Sequence, residues 1–333
     1  MDFSKGFSAR YTGRYIDPDT WQDLGTFKIK EGSITRDSSS NLLESAEIIT
    51  SESLGESWVR FYLTAIQSGE SVTIPLFTGL TSCPRREING NSEKYKVQCY
   101  SVLKVADDVL LPIGYYAPAG IVGIKIIGQL FGRLKIKAQI PGTSPRLKND
   151  IVAESGESYL SFIRKILESI GWIMSIDGYG GISVGQKQND AVAYYSGRIK
   201  DVIELEITDT KDWYSCPNCL RVTCGSSTAI YKDTDIDDRL SVPGRRREIW
   251  ASETAQISTS ESLGEYVIRR LKELQSPARE ISYKRRFDPE TYPGRVVMID
   301  YPKHGISGKF CEKTQKITMS YGCTTEVTAY ELD

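Results

Sequence analysis

The sequence predicts an α+β, mainly β chain in which two β-rich regions flank an α+β insert. Three observations carry this. Period-two patterns dominate residues 1–105 and return over 196–333, and helical periodicity is concentrated in residues 106–195. The 333 residues correspond to roughly two domains, and a 40 % apolar composition is ample for ordinary packed cores.

In the first region Thr26 to Lys30 alternates, Trp58 to Ala65 is β-branched and aromatic, and Val72 to Phe77 follows. Glu93 to Ser101 keeps a period of two with Tyr95, Val97 and Cys99 on one face, as expected of an antiparallel sheet wet on one side. Pro75 cannot donate to a ladder, so it calls for an edge position or a bulge.

In the insert, Ile124, Ile127, Phe131 and Leu134 form one apolar helical stripe, and the Gly128/Gly132 pair on that helix suggests close packing. A second helix places Tyr159, Phe162, Ile163, Ile166, Leu167 and Ile170 on one face, with Gly171 where a left-handed cap is wanted. Trp172 to Ile176 then turns through Asp177-Gly178 into Gly181 to Val184, a hairpin with glycine available for positive φ. The last region carries one helix, with Ser258 and Glu261 at capping-box spacing, a stripe of Leu263, Val267, Leu271 and Leu274, and Pro277 beyond it. Arg295 to Asp300, Lys309 to Met319 and Thr324 to Leu332 read as a closing three-strand meander. Thr50 to Glu56 and Thr259 to Glu265 share the sequence Thr-Ser-Glu-Ser-Leu-Gly-Glu. Strand follows one copy and helix the other, which favours chance or local convergence over duplication.

A formal charge of −1 gives no whole-chain electrostatic case for nucleic acid or an anionic membrane. The least polar stretch, Val109 to Ile124, is sixteen residues long and is broken by Pro112, Gly114, Pro118, Gly120 and Gly123, too short and interrupted to span a bilayer. Met1 to Lys5 carries no secretory pattern, so maturation in the cytoplasm is expected. Seven cysteines, an odd number from Cys83 to Cys323, fit reduced buried thiols and no disulfides. His304 is the one histidine; every histidine-dependent scheme would converge on it, and its Lys303-His304-Gly305 setting reads as an exposed turn.

Cys216-Pro217-Asn218-Cys219, with Cys224 beyond, has half of a zinc ribbon's spacing, but Cys311, Cys323 and His304 form no second pair. A redox pair would open a helix, whereas Leu220 to Cys224 reads as strand. Asp233, Asp235, Asp237 and Asp238 begin like a calcium loop, yet Asp238 stands where glycine is needed and Gly244 where the bidentate glutamate belongs, so a solvated acidic loop is expected. Arg245 to Arg247 are expected to neutralise those aspartates across the loop. Gly178 to Gly181 opens a strand and therefore reads as a hairpin turn instead of a phosphate loop. Nucleophile-elbow, Walker and His-Glu-x-x-His motifs are absent, so the expectation is an interaction or assembly protein without catalytic, cofactor or metal residues.

Glu154 to Leu160 running to Gly171–Gly178 resembles the central part of phage tail baseplate hub proteins, those of the late control protein D type and of defective Bacillus prophages. Trp213 to Val222 is similar to that family's aromatic, Pro-Asn, hydrophobic strand. The helix of Ser260 to Leu274, an Arg-Arg-Phe-Asp-Pro strand entry at Arg285 to Pro289, and Pro293 to Ile299 follow in the family's order, so the resemblance covers about residues 150–333. It implies two β-barrel-like tube domains, 1–105 and 196–333, flanking the insert at 106–195. Apolar or small residues usually occupy the family positions of Cys216 and Cys219, which favours buried thiols. The resemblance further implies a homotrimer that adapts the hexameric tail tube to a central spike or tip protein. Distal tail and tape measure proteins would be neighbours, and DNA would be met only in passage through a lumen. The location implied is a virion or tail-like particle, assembled in bacterial cytoplasm. Glu154 to Gly171 also resembles peptidoglycan-binding modules, which raises the alternative of a wall-binding or wall-degrading tail component, although an end at Asp333 leaves no room for an appended hydrolase. A zinc-binding interaction protein using Cys216, Cys219 and Cys224 is the remaining alternative.

Overall fold

The computed structural model describes residues 1–82, 84–90, 92–187, 189–196, 203–210, 214–255, 261–275 and 279–332. Cys83, Trp213, Ser258 to Ser260 and Pro277 lie outside the described residues. The N-terminal region forms β1 (Ser8–Ile16), β2 (Asp23–Lys28), β3 (Glu31–Asp37), β4 (Glu44–Thr50), β5 (Trp58–Gln67), β6 (Glu70–Thr81), β7 (Arg85–Asn89) and β8 (Ser92–Ser101). Along β8, Val97 and Cys99 are buried and Tyr95 half-buried on one face, as the alternation requires. Between β5 and β6 the register moves from Phe61↔Phe77 to Tyr62↔Pro75, which leaves Leu76 as the extra residue of a bulge beside the proline.

The insert contains α1 (Lys104–Asp108), β9 (Tyr116–Ala117), α2 (Gly123–Arg133), β10 (Ala138–Gln139), β11 (Ile151–Val152), α3 (Tyr159–Ser169), β12 (Trp172–Ile176) and β13 (Ile182–Gln186). Ser158 caps α3 by accepting the Ser161 N–H, and Gly171 takes φ +67° just past its end. The apolar stripes of α2 and α3 meet in one core that also recruits Trp21, Leu43, Val102 and Leu103 from the N-terminal region. Close packing falls on Gly123, where an added Cβ would approach Ile166 to 3.3 Å. At Gly128 the nearest atom is an ordinary 3.8 Å away, and at Gly132 nothing lies within 4 Å. The expectation for the Gly128/Gly132 pair is thus corrected: the helices touch at the first turn of α2.

Beyond the insert lie β14 (Ala191–Ser196), β15 (Ile203–Thr210), β16 (Cys219–Cys224), β17 (Ser227–Lys232), α4 (Val242–Arg245), β18 (Trp250–Thr254), α5 (Leu263–Gln275), β19 (Glu280–Arg286), β20 (Val296–Tyr301), β21 (Ile306–Thr318) and β22 (Thr324–Leu332). Strand β14 pairs in parallel with β20. The meander of β20, β21 and β22 is antiparallel as expected. The Arg285 to Pro289 motif is the exit of β19, not a strand entry: Asp288 accepts the Glu290 N–H in a turn that ends the strand.

Strands dominate, and the two β-rich regions share one fourteen-stranded sheet whose main path runs β15-β19-β22-β21-β3-β4-β8-β6-β5-β1-β2. Strand β21 makes the junction. Its first half pairs with β20, a register shift between Glu312 and Thr314 changes its phase, and Thr314 to Thr318 pair with Asp37 to Ser33 of β3. A smaller sheet of β17, β16 and β18 carries α5 on one face around Leu220, Val222, Tyr266, Val267 and Leu271. The cap of α5 is Ser262 with Glu265: the Glu265 carboxylate accepts the Ser262 N–H at 2.8 Å, and the serine oxygen accepts the Glu265 N–H. Glu261, expected in that role, instead pairs with Arg269.

Candidate assembly interface

Two joints carry buried arginine–glutamate pairs. The first lies where the β12–β13 hairpin meets the β6 bulge. Asp177 accepts the N–H groups of Tyr179 and Gly181 at 2.9 and 2.8 Å, and Gly180 adopts φ +78°, which together form the turn. The turn then presses on β6 so closely that a Cβ at Gly178 would stand 2.0 Å from the Pro75 carbonyl oxygen. Thr78 donates to the Gly178 carbonyl at 2.8 Å. Arg60 donates to Thr78 Oγ1 and to Asp23, each at 2.9 Å, and lies over the Tyr179 ring. Beneath them Arg36 and Glu44 are direct cross-strand partners, both buried, with Nε and Oε2 3.5 Å apart. Arg36 also donates to the carbonyl of the bulged Leu76 at 2.7 Å and lies over the Tyr292 ring. Among the described residues, neither carboxylate oxygen of Glu44 has a hydrogen-bond partner, nor has Arg36 Nε. Burial pushes the Glu44 carboxyl up to about 8; Arg36 opposes this and Asp177 adds to it.

The second joint lies inside the last region's sheet. Glu312 accepts from Tyr283 Oη at 2.9 Å, from Gln315 Nε2 at 2.5 Å and from Arg285 Nη2 at 3.2 Å. Arg285 further donates to Thr291 Oγ1 and to the Arg286 carbonyl. Burial works against the Arg285 charge, yet the Glu312 carboxylate outweighs it and holds the guanidinium's pKa above its ordinary value.

The residues singled out from sequence are dispersed. Cys219 begins β16 and Cys224 ends it, so their five-residue separation is roughly 16 Å along an extended strand and the two cannot share one ion. The Cys219 thiol donates to Asn218 Oδ1, and burial pushes its pKa up. Asn218 explains its own place in the motif: fully buried, it donates to the Arg247 carbonyl and accepts the Ile249 N–H, lacing β16 to the approach to β18. Asp233, Asp235 and Asp238 turn back onto the N–H groups of Asp235, Asp237 and Leu240, and Asp233 is buried and accepts from Gln275. The solvated acidic loop is therefore a set of backbone-binding turns. Among the described residues, Arg245 and Arg247 form no ion pair with those aspartates; they donate to the carbonyls of Cys216 and Tyr214. His304 ends a 3-10 turn before Gly305 at φ +67°, an exposed position. No cluster of three metal-ligating side chains occurs among the described residues.

The buried groups that matter here were absent from the sequence reading. Arg36 shares its strand face with Ile34, and Glu44 shares its face with Ala46 and Ile48. A charge in the apolar phase of an alternating strand was the available signal. Strands β2 and β15 end the path of the large sheet within the chain, and Leu24 on β2 and Ile88 on the flanking strand β7 are exposed. No helix among the described residues is long and apolar enough to cross a membrane.

Comparison with family models and with curated proteins finds no match. Solved structures do match over the whole chain. The tail protein of Neisseria meningitidis MC58 superposes with a TM-score of 0.72 at 14 % identity, covering 97 % of this chain and 96 % of that one. The fold is that of phage tail proteins. This tail-protein fold recurs in the 43 kDa tail protein of prophage MuSo2 from Shewanella oneidensis, with a TM-score of 0.69 at 10 % identity, covering 98 % of this chain and 100 % of the other. It also recurs in the Francisella PdpA–VgrG complex, with a TM-score of 0.57 at 11 % identity, covering 98 % of this chain but 58 % of that one.

Proposed function

We propose that this chain is a non-enzymatic baseplate hub protein of a phage tail or tail-like particle. Its copies form a homotrimeric ring that adapts a hexameric tail tube to a central spike or tip protein. The observation that carries this reading is end-to-end correspondence with two tail proteins, 97 % and 98 % of this chain being covered. Two β-rich regions per chain, 1–105 and 196–333 around the insert at 106–195, would offer six similar seats in a trimer, while threefold symmetry remains for a trimeric spike on the other face. Strands β2 and β15, which end the sheet path of one chain, would be paired or covered by neighbouring copies, because open edges otherwise invite uncontrolled pairing. Distal tail and tape measure proteins are further neighbours in this reading, and DNA passes only through the lumen. Its place is the particle, assembled in the cytoplasm of a bacterial host.

Native mass measurement of the purified chain, alone and mixed with tail-tube and spike proteins of the same particle, tests the proposal. A trimer that captures both is the expected result. A persistent monomer that binds neither would overturn it.

A further inference from the structure

A cleft separates the insert from α5 and the end of β22. Its inner part, about 670 Å³, is walled by Trp172 and Ile173 of β12, Tyr266 and Arg270 of α5, and Tyr330 of β22. Lys187, Arg269 and Glu273 line both this part and an outer groove of about 740 Å³ that also includes Ile268, Lys272 and Lys309. Both volumes fall in the range of ligand sites, roughly 300–1,000 Å³.

Both parts of the cleft combine apolar with charged side chains. Ile173 is 39 % exposed and Ile268 38 % exposed, one in each part, so two aliphatic side chains stand uncovered in a concave surface. The arginines are already engaged: Arg269 pairs with Glu261 and Glu273, Arg270 pairs with Glu253 and Glu273, and Arg164 donates to the Ser40 and Asn41 carbonyls. The lysines have lighter contacts and, among the described residues, no carboxylate. Lys187 rests over the Tyr330 ring, Lys309 donates to the Asn189 carbonyl, and neither they nor Lys272 has an ion-pair partner among the described residues. Three ammonium groups without a carboxylate partner among the described residues therefore gather at the outer groove. Glu168 lines the inner part and has no ion-pair partner among the described residues.

We propose that this cleft binds a short acidic peptide segment of a partner protein, with apolar side chains on Ile173 and Ile268 and carboxylates at Lys187, Lys272 and Lys309. Charge complementarity selects a peptide over a nucleic acid. Glu265 and Glu273 interrupt the row of cations and would repel a continuous phosphate backbone, whereas spaced carboxylates can avoid them.

Selection of a displayed library of short random peptides on the full chain tests this, with counter-selection on the Lys187→Glu/Lys272→Glu/Lys309→Glu variant. Enriched peptides should combine large apolar residues with several Asp or Glu. A synthetic peptide of that sequence should bind the unaltered chain about tenfold more tightly than the variant at low salt, and more tightly than Ile173→Ala. If the triple variant does not fold, Lys272→Gln/Lys309→Gln serves in its place with a smaller loss. Enriched peptides without acidic bias, affinity unaltered by the lysine substitutions, or tighter binding of an oligodeoxythymidine that displaces the peptide would each overturn the proposal.

Discussion

Glu44 and Glu312 each lie buried opposite an arginine, one in each β-rich region, and their surroundings differ. Around Glu312 a tyrosine, a glutamine and Arg285 occupy the carboxylate, and Arg285 has Thr291 and a carbonyl besides. Glu44 has Arg36 at 3.5 Å and no hydrogen bond to either oxygen. Taking charges out of water is offset only when their lone pairs and protons are met. The Glu312 carboxylate is fully met by donors, and the one gap at that site among the described residues is Arg285 Nε, which is buried without a hydrogen-bond partner. The Glu44 site is under-satisfied, and it lies beneath the contact between the insert hairpin and the N-terminal sheet. One carboxylate is held by donors on both oxygens; the other changes its charge with a proton.

The largest expected effect removes the better-satisfied carboxylate. Glu312→Ala strands Arg285 in the core and should cost about 3–5 kcal/mol, read from the urea midpoint. A cost under about 1 kcal/mol, within the range of a surface substitution, would remove the distinction between the two joints.

The pH response comes next. Glu44 titrates near 8 when folded but close to 4.5 when unfolded. The folded state therefore binds the extra proton between those values. Its contribution to stability is complete below about pH 4.5, declines as pH rises, and is lost above about pH 8. Melting of the parent relative to Glu44→Gln should show a swing of about 2–4 kcal/mol across that window, with the variant relatively more stable at the alkaline end. A parallel pair of curves would contradict the assignment.

Gly178→Ala sharpens the comparison from the hairpin side. Its Cβ would meet the Pro75 carbonyl, so a loss of about 1–3 kcal/mol is expected. Faster amide exchange should be confined to the β6 bulge and the 177–181 turn, with the Arg285 network as protected as before. The smallest effect belongs to a control away from both joints. Ser262→Ala removes the α5 cap for about 1 kcal/mol and should leave exchange at the hairpin and around Glu312 unaltered.

Much of the architecture was legible locally. The α3 helix follows from its apolar stripe, its Ser158 cap and Gly171, and the bulge from a proline that cannot donate. Close packing at Gly123 was not legible, because glycine spacing within α2 says nothing about where α3 crosses it. Ser262 was passed over because Ser258 and Glu261 have the same spacing. Of the two buried pairs, Arg36 and Glu44 left a trace as charges in an apolar phase. Glu312 left none, since Phe310, Cys311 and Glu312 are buried in succession where β21 loses its alternation.

Residue order and composition were sufficient for the mainly β class, for the helical insert between two strand-rich stretches, and for the closing meander, because each rests on contacts a few residues apart along the chain. The union of both stretches into one sheet was settled by folding in three dimensions. It depends on a phase change next to Lys313 that turns the second half of β21 toward β3, nearly three hundred residues earlier. Pairing between such distant strands leaves no local period, because each strand alternates in the same way whichever neighbour it meets.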